Sequence, residues 1–172
     1  MRQWNQRQFN AVRVGALYHD IGKMHNPTYF TENQSTGINP HDELSPLESA
    51  RIIIGHVIRG IEIAKKNKLP DRVVDFIRTH HGTSTVRYFY NKQMELNSEF
   101  DSNDFKYNGP KPFSKETAIL MMCDSVEAAS KSLKDPTSTK INSFVETVIS
   151  MQMDADQFLN ANITVSYTHL RA

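Results

Sequence analysis

The sequence predicts an all-α fold, and three observations carry that prediction. Apolar residues at 50, 53, 57, 61 and 64 recur every three or four positions, the spacing of one buried helix face. Helix starts are spelled out. In "SPLE", Ser45 can cap, Pro46 suits the first turn and Glu48 can close a capping box. No segment alternates apolar and polar residues over a useful strand length.

The elements follow in order. Val12 to His19 is apolar at 12, 14, 16 and 17, with Gly22 placed to end the helix. The stretch 25–44, with Pro27, Gly37, Pro40 and many Asn, Thr and Ser residues, is a loop. The helix opened by Ser45 runs to about Asn67, because Pro70 lies just beyond. "DRVVDFIRTHHG" is the next helix, with Asp71 as a candidate cap and Gly82 as its stop. "TVRYFYNKQMEL" reads as a short helix, and "NSEFDSNDFKYNGPKP" reads as loop. Ser114 caps a helix through "KETAILMMCDSVEAASKSL", apolar at 118, 121, 122, 126 and 129. A last helix, "STKINSFVETVISMQ", follows Pro136, and the tail "VSYTHLRA" shows no pattern.

Composition narrows the function classes. The 172 residues suffice for one domain with a real core. Lys plus Arg number 20 and Asp plus Glu number 19, so the strongly basic face expected of a duplex nucleic-acid binder is missing. The single Cys123 forms no internal disulfide and fits a reducing compartment. No run approaches the ~20 apolar residues of a membrane helix, and the polar start "MRQWNQRQFN" is not a signal peptide. The chain reads as soluble and cytoplasmic.

Six of the seven histidines precede residue 82. His19 and Asp20 close one helix, His56 sits inside the second, and His80 and His81 close the third. Asp124 lies within the apolar run "AILMMCDSVEAA". Each has a bland reading. A lone histidine in an apolar helix is usually a satisfied core residue, and a histidine doublet can offset the negative end of a helix dipole. A carboxylate on an apolar helix face is costlier, unless paired or bound to a cation. Four coincidences are needed for the bland readings, and one metal cluster replaces them all.

Imidazoles and carboxylates suit Fe, Mn, Zn, Ni or Co, and the absence of thiolates argues against a structural zinc site. A carboxylate such as Asp20 can bridge two cations. A cation pair can activate a hydroxide and stabilise the oxygens of an in-line phosphoryl displacement. Lys23, just beyond, can hold a phosphate oxygen. The residues therefore point to a metal-dependent phosphohydrolase without naming its substrate.

The order H–D–x–G–K, helical His, H–H, helical Asp resembles the HD-domain metal phosphohydrolases. The words "GALYHDIGKM", "YFTENQ", "NPHDELSPLESARIII", "RTHHGTSTVRYFY" and "GPKPFSKETAILMMCDSVEAASKSL" look like the cytoplasmic HD domain of the seven-transmembrane (PgpH-type) cyclic-di-AMP phosphodiesterases. The match covers Val12 to Thr164, with 1–164 as the domain and 165–172 as an unplaced tail. The resemblance implies an HD helical bundle, two divalent metals (iron or manganese) and hydrolysis of cyclic di-AMP to pApA. It implies metal ligation by His19, Asp20 and Asp124 at one site and by Asp20, His56, His80 and His81 at the other, with Asp20 bridging. It implies a phosphate contact at Lys23 and a groove lined by Gly82, Thr83 and Ser84. Tyr88 and Tyr90 could stack on adenine, although aromatics at this spacing more often serve the core.

Two departures from the family pattern stand out. The family has a further metal-binding histidine one helix earlier, and no histidine precedes His19 here. Truncation is the simplest account, with the expectation that the second metal is held more tightly than the first. The family's membrane and extracellular parts are also missing. In an intact parent they would anchor the domain at the inner face of the membrane.

Other readings remain open at this stage. An HD-GYP enzyme would follow its histidine doublet with an acidic residue and a Gly-Tyr-Pro motif, and "HHGTSTVRYFY" has neither. An HD phosphohydrolase acting on another nucleotide, or a binding module that senses a nucleotide without cutting it, is also compatible. A helical interaction domain with incidental histidines would bind no metal.

Overall fold

A computed structural model describes residues 5–34, 37–131, 133 and 137–163 of the chain. Six α-helices form the frame: α1 (Gln6–Tyr18), α2 (Pro46–Lys66), α3 (Asp71–Thr79), α4 (Arg87–Leu96), α5 (Lys115–Ser130) and α6 (Ser138–Asp154). The described residues contain no strand, only one isolated bridge between Thr85 and Lys106. The all-α expectation holds. The patternless tail and His169 lie outside the described residues.

Local chemistry explains the helix starts. Ser45 accepts from the Glu48 N–H while the Glu48 carboxylate accepts from the Ser45 N–H, so the predicted capping box forms. Ser114 makes the same reciprocal arrangement with Thr117. Three sequence expectations need correction. Helix α1 begins at Gln6, six residues earlier than the apolar spacing suggested, because Asn5 and Gln8 form a third capping box. Pro70, not Asp71, is the capping residue of α3, and Asp71 is its first helical residue. Gly22 is not a left-handed helix stop. It lies inside a 3-10 turn, Ile21–His25, and its role is close approach. A Cβ there would collide with the His56 carbonyl and the Gly60 nitrogen of α2.

Helix α2 is the spine, with the Ile21–His25 turn, α3 and α4 packed around it, while α1 lies against α3 and α5. Ala64, Val73, Val74 and Ile77 form the α2–α3 core, with Ile21 packed against it. Ala50, Phe89 and Phe105 bind α2, α4 and the 3-10 turn Ser102–Phe105. Ala118 and Met121 of α5 pack with Phe158 and Ala161. The loop at 25–44 is built from short 3-10 turns at Pro27–Tyr29, Thr31–Asn33 and Pro40–Glu43. Buried Phe30 anchors it by meeting the His56 ring edge-on.

Tyr90 serves the core, packed on Phe100 and Phe105. Tyr88 is exposed, with the Lys92 ammonium over its ring.

Candidate metal centre

The ends of α1 and α3, the middle of α2 and the middle of α5 meet at one place. His19 is the C-cap of α1, and Asp20 follows it into the 3-10 turn. His56 projects from α2, His80 caps α3 with His81 next, and Asp124 comes from α5. All six candidate metal residues are brought together. Potential ligand atoms of Asp20, His56, His80 and His81 lie within 4.8 Å of one another, as do those of His19, Asp20 and Asp124. The two groups share Asp20.

Asp20 divides its carboxylate between them. Oδ1 lies 3.3 Å from His56 Nε2 and 3.5 Å from His80 Nε2. Oδ2 lies 3.2 Å from His19 Nε2 and 2.6 Å from Lys23 Nζ. On the far side of His19, Asp124 Oδ1 is 3.3 Å from the same Nε2, and Asp124 Oδ2 is 3.8 Å from His81 Nδ1.

The ring tautomers can be deduced. His19, His56 and His80 each place Nδ1 on a carbonyl three residues back: Ala16 at 2.9 Å, Ile53 at 2.5 Å and Ile77 at 2.7 Å. A carbonyl only accepts, so each Nδ1 carries hydrogen and each neutral ring turns a bare Nε2 lone pair inward. His56 Nε2 and His80 Nε2 then face each other at 3.1 Å as two acceptors. Beside them, buried Asp20 Oδ1 accepts no hydrogen bond. Converging lone pairs with no proton to share are what a cation satisfies. The residues present therefore fit a divalent metal.

Charge follows from this packing. Burial alone would lower the His19 pKa, but Asp124 and Asp20 override it and raise the ring to about 10. In the protein free of metal, the His19 imidazolium proton stands between two carboxylates, where a cation would otherwise balance them. Burial pushes His80 down and His81 well down, so both rings are neutral and ready to ligate. Burial opposes charge on Asp20, yet the charged His19 ring beside it holds it far below the usual carboxylate range.

Three contributors were not legible in the sequence. Glu32 pairs with Lys23 Nζ at 2.5 Å. Phe30 lies under the same ammonium, 5.2 Å from Nζ to ring centroid. Tyr107 stacks on His81 with ring centroids 4.2 Å apart. It is buried, and burial together with the Asp124 and Asp20 charges pushes its hydroxyl pKa up, so it stays neutral. None of the three carries a periodic signal, and although Phe30 and Glu32 fall within the word "YFTENQ", that word gave them no role.

Of the predicted substrate contacts, Lys23 stands beside the cluster. Gly82 adopts φ +51°, and a Cβ there would strike the Gln157 side chain. The Thr83 N–H donates to Gln157 Oε1 at 3.0 Å, and its hydroxyl accepts from Gln157 Nε2 at 3.0 Å. The Ser84 N–H donates to the His81 carbonyl, and its own carbonyl accepts from Tyr107. This segment therefore ties the histidine doublet to its surroundings.

Comparison with known proteins agrees with this architecture. The HD domain family model matches residues 3–129. The chain is 46% identical over 154 residues, 90% of its length, to the cyclic-di-AMP phosphodiesterase PgpH of Listeria monocytogenes serotype 1/2a (strain 10403S). It is 44% identical over 153 residues, 89% of its length, to PgpH of Bacillus subtilis (strain 168). It spans about a fifth of each of these relatives, 21% and 22%. The crystal structure of the L. monocytogenes PgpH HD domain in complex with cyclic di-AMP superposes with a TM-score of 0.89 at 44% identity. That match covers 94% of this chain and 75% of the other. With its His-Asp pair, helical histidine, histidine doublet and helical aspartate gathered at one centre, the chain belongs to the HD domain family.

Proposed function

We propose that the chain is the catalytic HD domain of a cyclic-di-AMP phosphodiesterase. The observation that carries this reading is the ring of inward Nε2 lone pairs around a buried, unpartnered Asp20 oxygen. The likeness to an HD domain that binds cyclic di-AMP supplies the substrate class.

In this reading Asp20, His56, His80 and His81 hold one divalent cation, and His19, Asp20 and Asp124 hold the other; iron or manganese suits these donors. Such a pair, when bound, would lower the pKa of water so that it gives up a proton and is available as hydroxide, and would offset charge on the phosphate oxygens. The protein positions and neutralises. Asp20 sets the spacing of the two groups with its two oxygens. The backbone carbonyls of Ala16, Ile53 and Ile77 fix three rings. Lys23 offers an ammonium to a phosphate oxygen. Gly82, Thr83 and Ser84 line the approach to His81. A water oxygen joins one phosphorus, that phosphorus parts from its ribose 3′ oxygen, the oxygen takes a proton, and pApA results.

In an intact parent the domain would work at the cytoplasmic face of a membrane. No helix among the described residues is long and apolar enough to cross one. One observation favours a second reading. Only three side chains among the described residues surround one metal position, which suits a module that binds the nucleotide without cutting it.

Hydrolysis of cyclic di-AMP and cyclic di-GMP, measured side by side with Mn²⁺ on the wild type and Asp20→Ala, tests both. Cleavage of the adenine dinucleotide that disappears in the variant supports the enzyme. Binding without cleavage by the wild type supports the module.

A further inference from the structure

We infer that Glu32 is a positioning residue: its carboxylate holds the Lys23 ammonium at the rim of the cluster, so that a remaining N–H meets a phosphate oxygen of the substrate. This rests on the phosphodiesterase reading above.

An ammonium has three donors. At Lys23 one lies 2.6 Å from Asp20 Oδ2 and another 2.5 Å from Glu32 Oε1, which leaves a third. The two carboxylates are not equivalent. Asp20 belongs to both metal groups, and bound cations would take up its charge and weaken its hold on Lys23. Glu32 belongs to neither group. It remains a full negative partner when the centre is loaded and is then the carboxylate that keeps Lys23 in place.

The loop is built to put Glu32 there. Phe30, two residues earlier, is buried against His56 and lies beneath the Lys23 ammonium. The Gln34 amide donates to the Thr28 carbonyl at 3.1 Å and to Asn39 Oδ1 at 3.2 Å. His41 Nε2–H donates to the Tyr29 carbonyl at 2.9 Å. Glu32 therefore sits on a braced turn. A lysine left to its four rotatable carbons would sample many positions, and fixing a charged group in advance is where such a clamp gains rate.

The test compares the Mn²⁺-loaded wild type, Glu32→Gln, Lys23→Met and the double variant. Three readouts are taken: kcat/KM for cyclic di-AMP and metal content with Mn²⁺, and the NMR resonance of the Lys23 ammonium in the same four proteins loaded with diamagnetic Zn²⁺, because Mn²⁺ would broaden it away. We expect Glu32→Gln to lower kcat/KM roughly tenfold, to leave metal content unchanged and to erase the slowly exchanging ammonium resonance. In the Lys23→Met background the same substitution should change kcat/KM less than about twofold. An equal loss in both backgrounds overturns the inference. So does a fall in metal content, which would make Glu32 a ligand, or an ammonium resonance that survives Glu32→Gln. If the wild type cleaves no cyclic dinucleotide, the phosphodiesterase reading fails by itself. The ammonium resonance then still decides whether Glu32 holds Lys23.

Discussion

Around Asp20 Oδ1 the donors are imidazoles. His56 and His80 are fully buried, and their Nδ1 atoms are locked on backbone carbonyls of their own helices. Around Asp20 Oδ2 stand His19, Asp124 and Lys23, each partly exposed, brought from three different elements. The first arrangement offers four ligating side chains with His80 and His81 kept neutral by burial. The second offers three, and its histidine carries a proton that two carboxylates stabilise. One half of the centre is thus preorganised for a cation. The other half depends on how well α1 and α5 are held together.

The sharpest way to break the comparison is to remove what the halves share. Asp20→Ala should abolish hydrolysis of cyclic di-AMP, by at least about a thousandfold, and should lower the binding of both metals. A variant that keeps one metal at wild-type strength would show that Asp20 does not bridge.

Removing one half at a time comes next. Metal counting by mass spectrometry at limiting Mn²⁺ should show His56→Ala losing the tightly held ion, and His19→Ala losing only the weaker one. Two equally tight ions in the wild type would refute the asymmetry. Of smaller effect is Gly22→Ala. Its Cβ would be driven into the His56 carbonyl, forcing Asp20 and Lys23 away from α2. The expected cost is about 3 kcal/mol by thermal unfolding, together with loss of metal from both halves.

The sequence made the ligands legible because their chemistry is out of place on apolar helices. His56 sits between apolar neighbours in α2, and Asp124 interrupts the apolar run of α5. That they meet was inferred from the unlikelihood of four coincidences, while their division between two metal positions came only through the resemblance, since spacing says nothing about which helix ends converge. The opposite error occurred at Gly22. A glycine after a helix looks like a stop, and nothing local reveals that another helix backbone lies against it. Glu32 and Tyr107 were missed because loops have no period to read. The start of α1 was missed although a signal existed: Asn5 and Gln8 have the capping-box spacing.

Tyr107 gives a gentler test of the buried half. His81 has no carbonyl three residues back fixing its ring, unlike its three neighbours, and it is held instead by the stacked tyrosine. Tyr107→Leu should weaken the tighter metal roughly tenfold and leave the weaker one unchanged. An equal effect on both ions would mean that the ring supports the whole cluster and not His81.

The smallest effect concerns what holds the weaker half together. Glu116, in the first turn of α5, accepts from Gln8 Nε2 of α1 at 3.1 Å and pairs with Arg72 of α3 at 3.3 Å. It therefore joins the helix that carries His19 to the helix that carries Asp124. Burial would raise its pKa, but its backbone, Gln8 and Ser114 hydrogen bonds and the Arg72 charge lower it. A carboxyl with a lowered folded pKa stabilises above its unfolded value and loses that contribution as pH falls through the folded one. Glu116→Gln should accordingly cost about 1 kcal/mol near neutral pH, since Arg72 is largely solvated. The gap between variant and wild-type melting temperatures should close as the pH drops below the ordinary glutamate range. The same substitution should loosen the weaker metal by a small factor and spare the tighter one, because carbonyls of α2 and α3 fix the His56 and His80 rings. A gap that persists in acid would mean that Glu116 acts through packing, and the weaker half would then owe its looseness to ligand number alone.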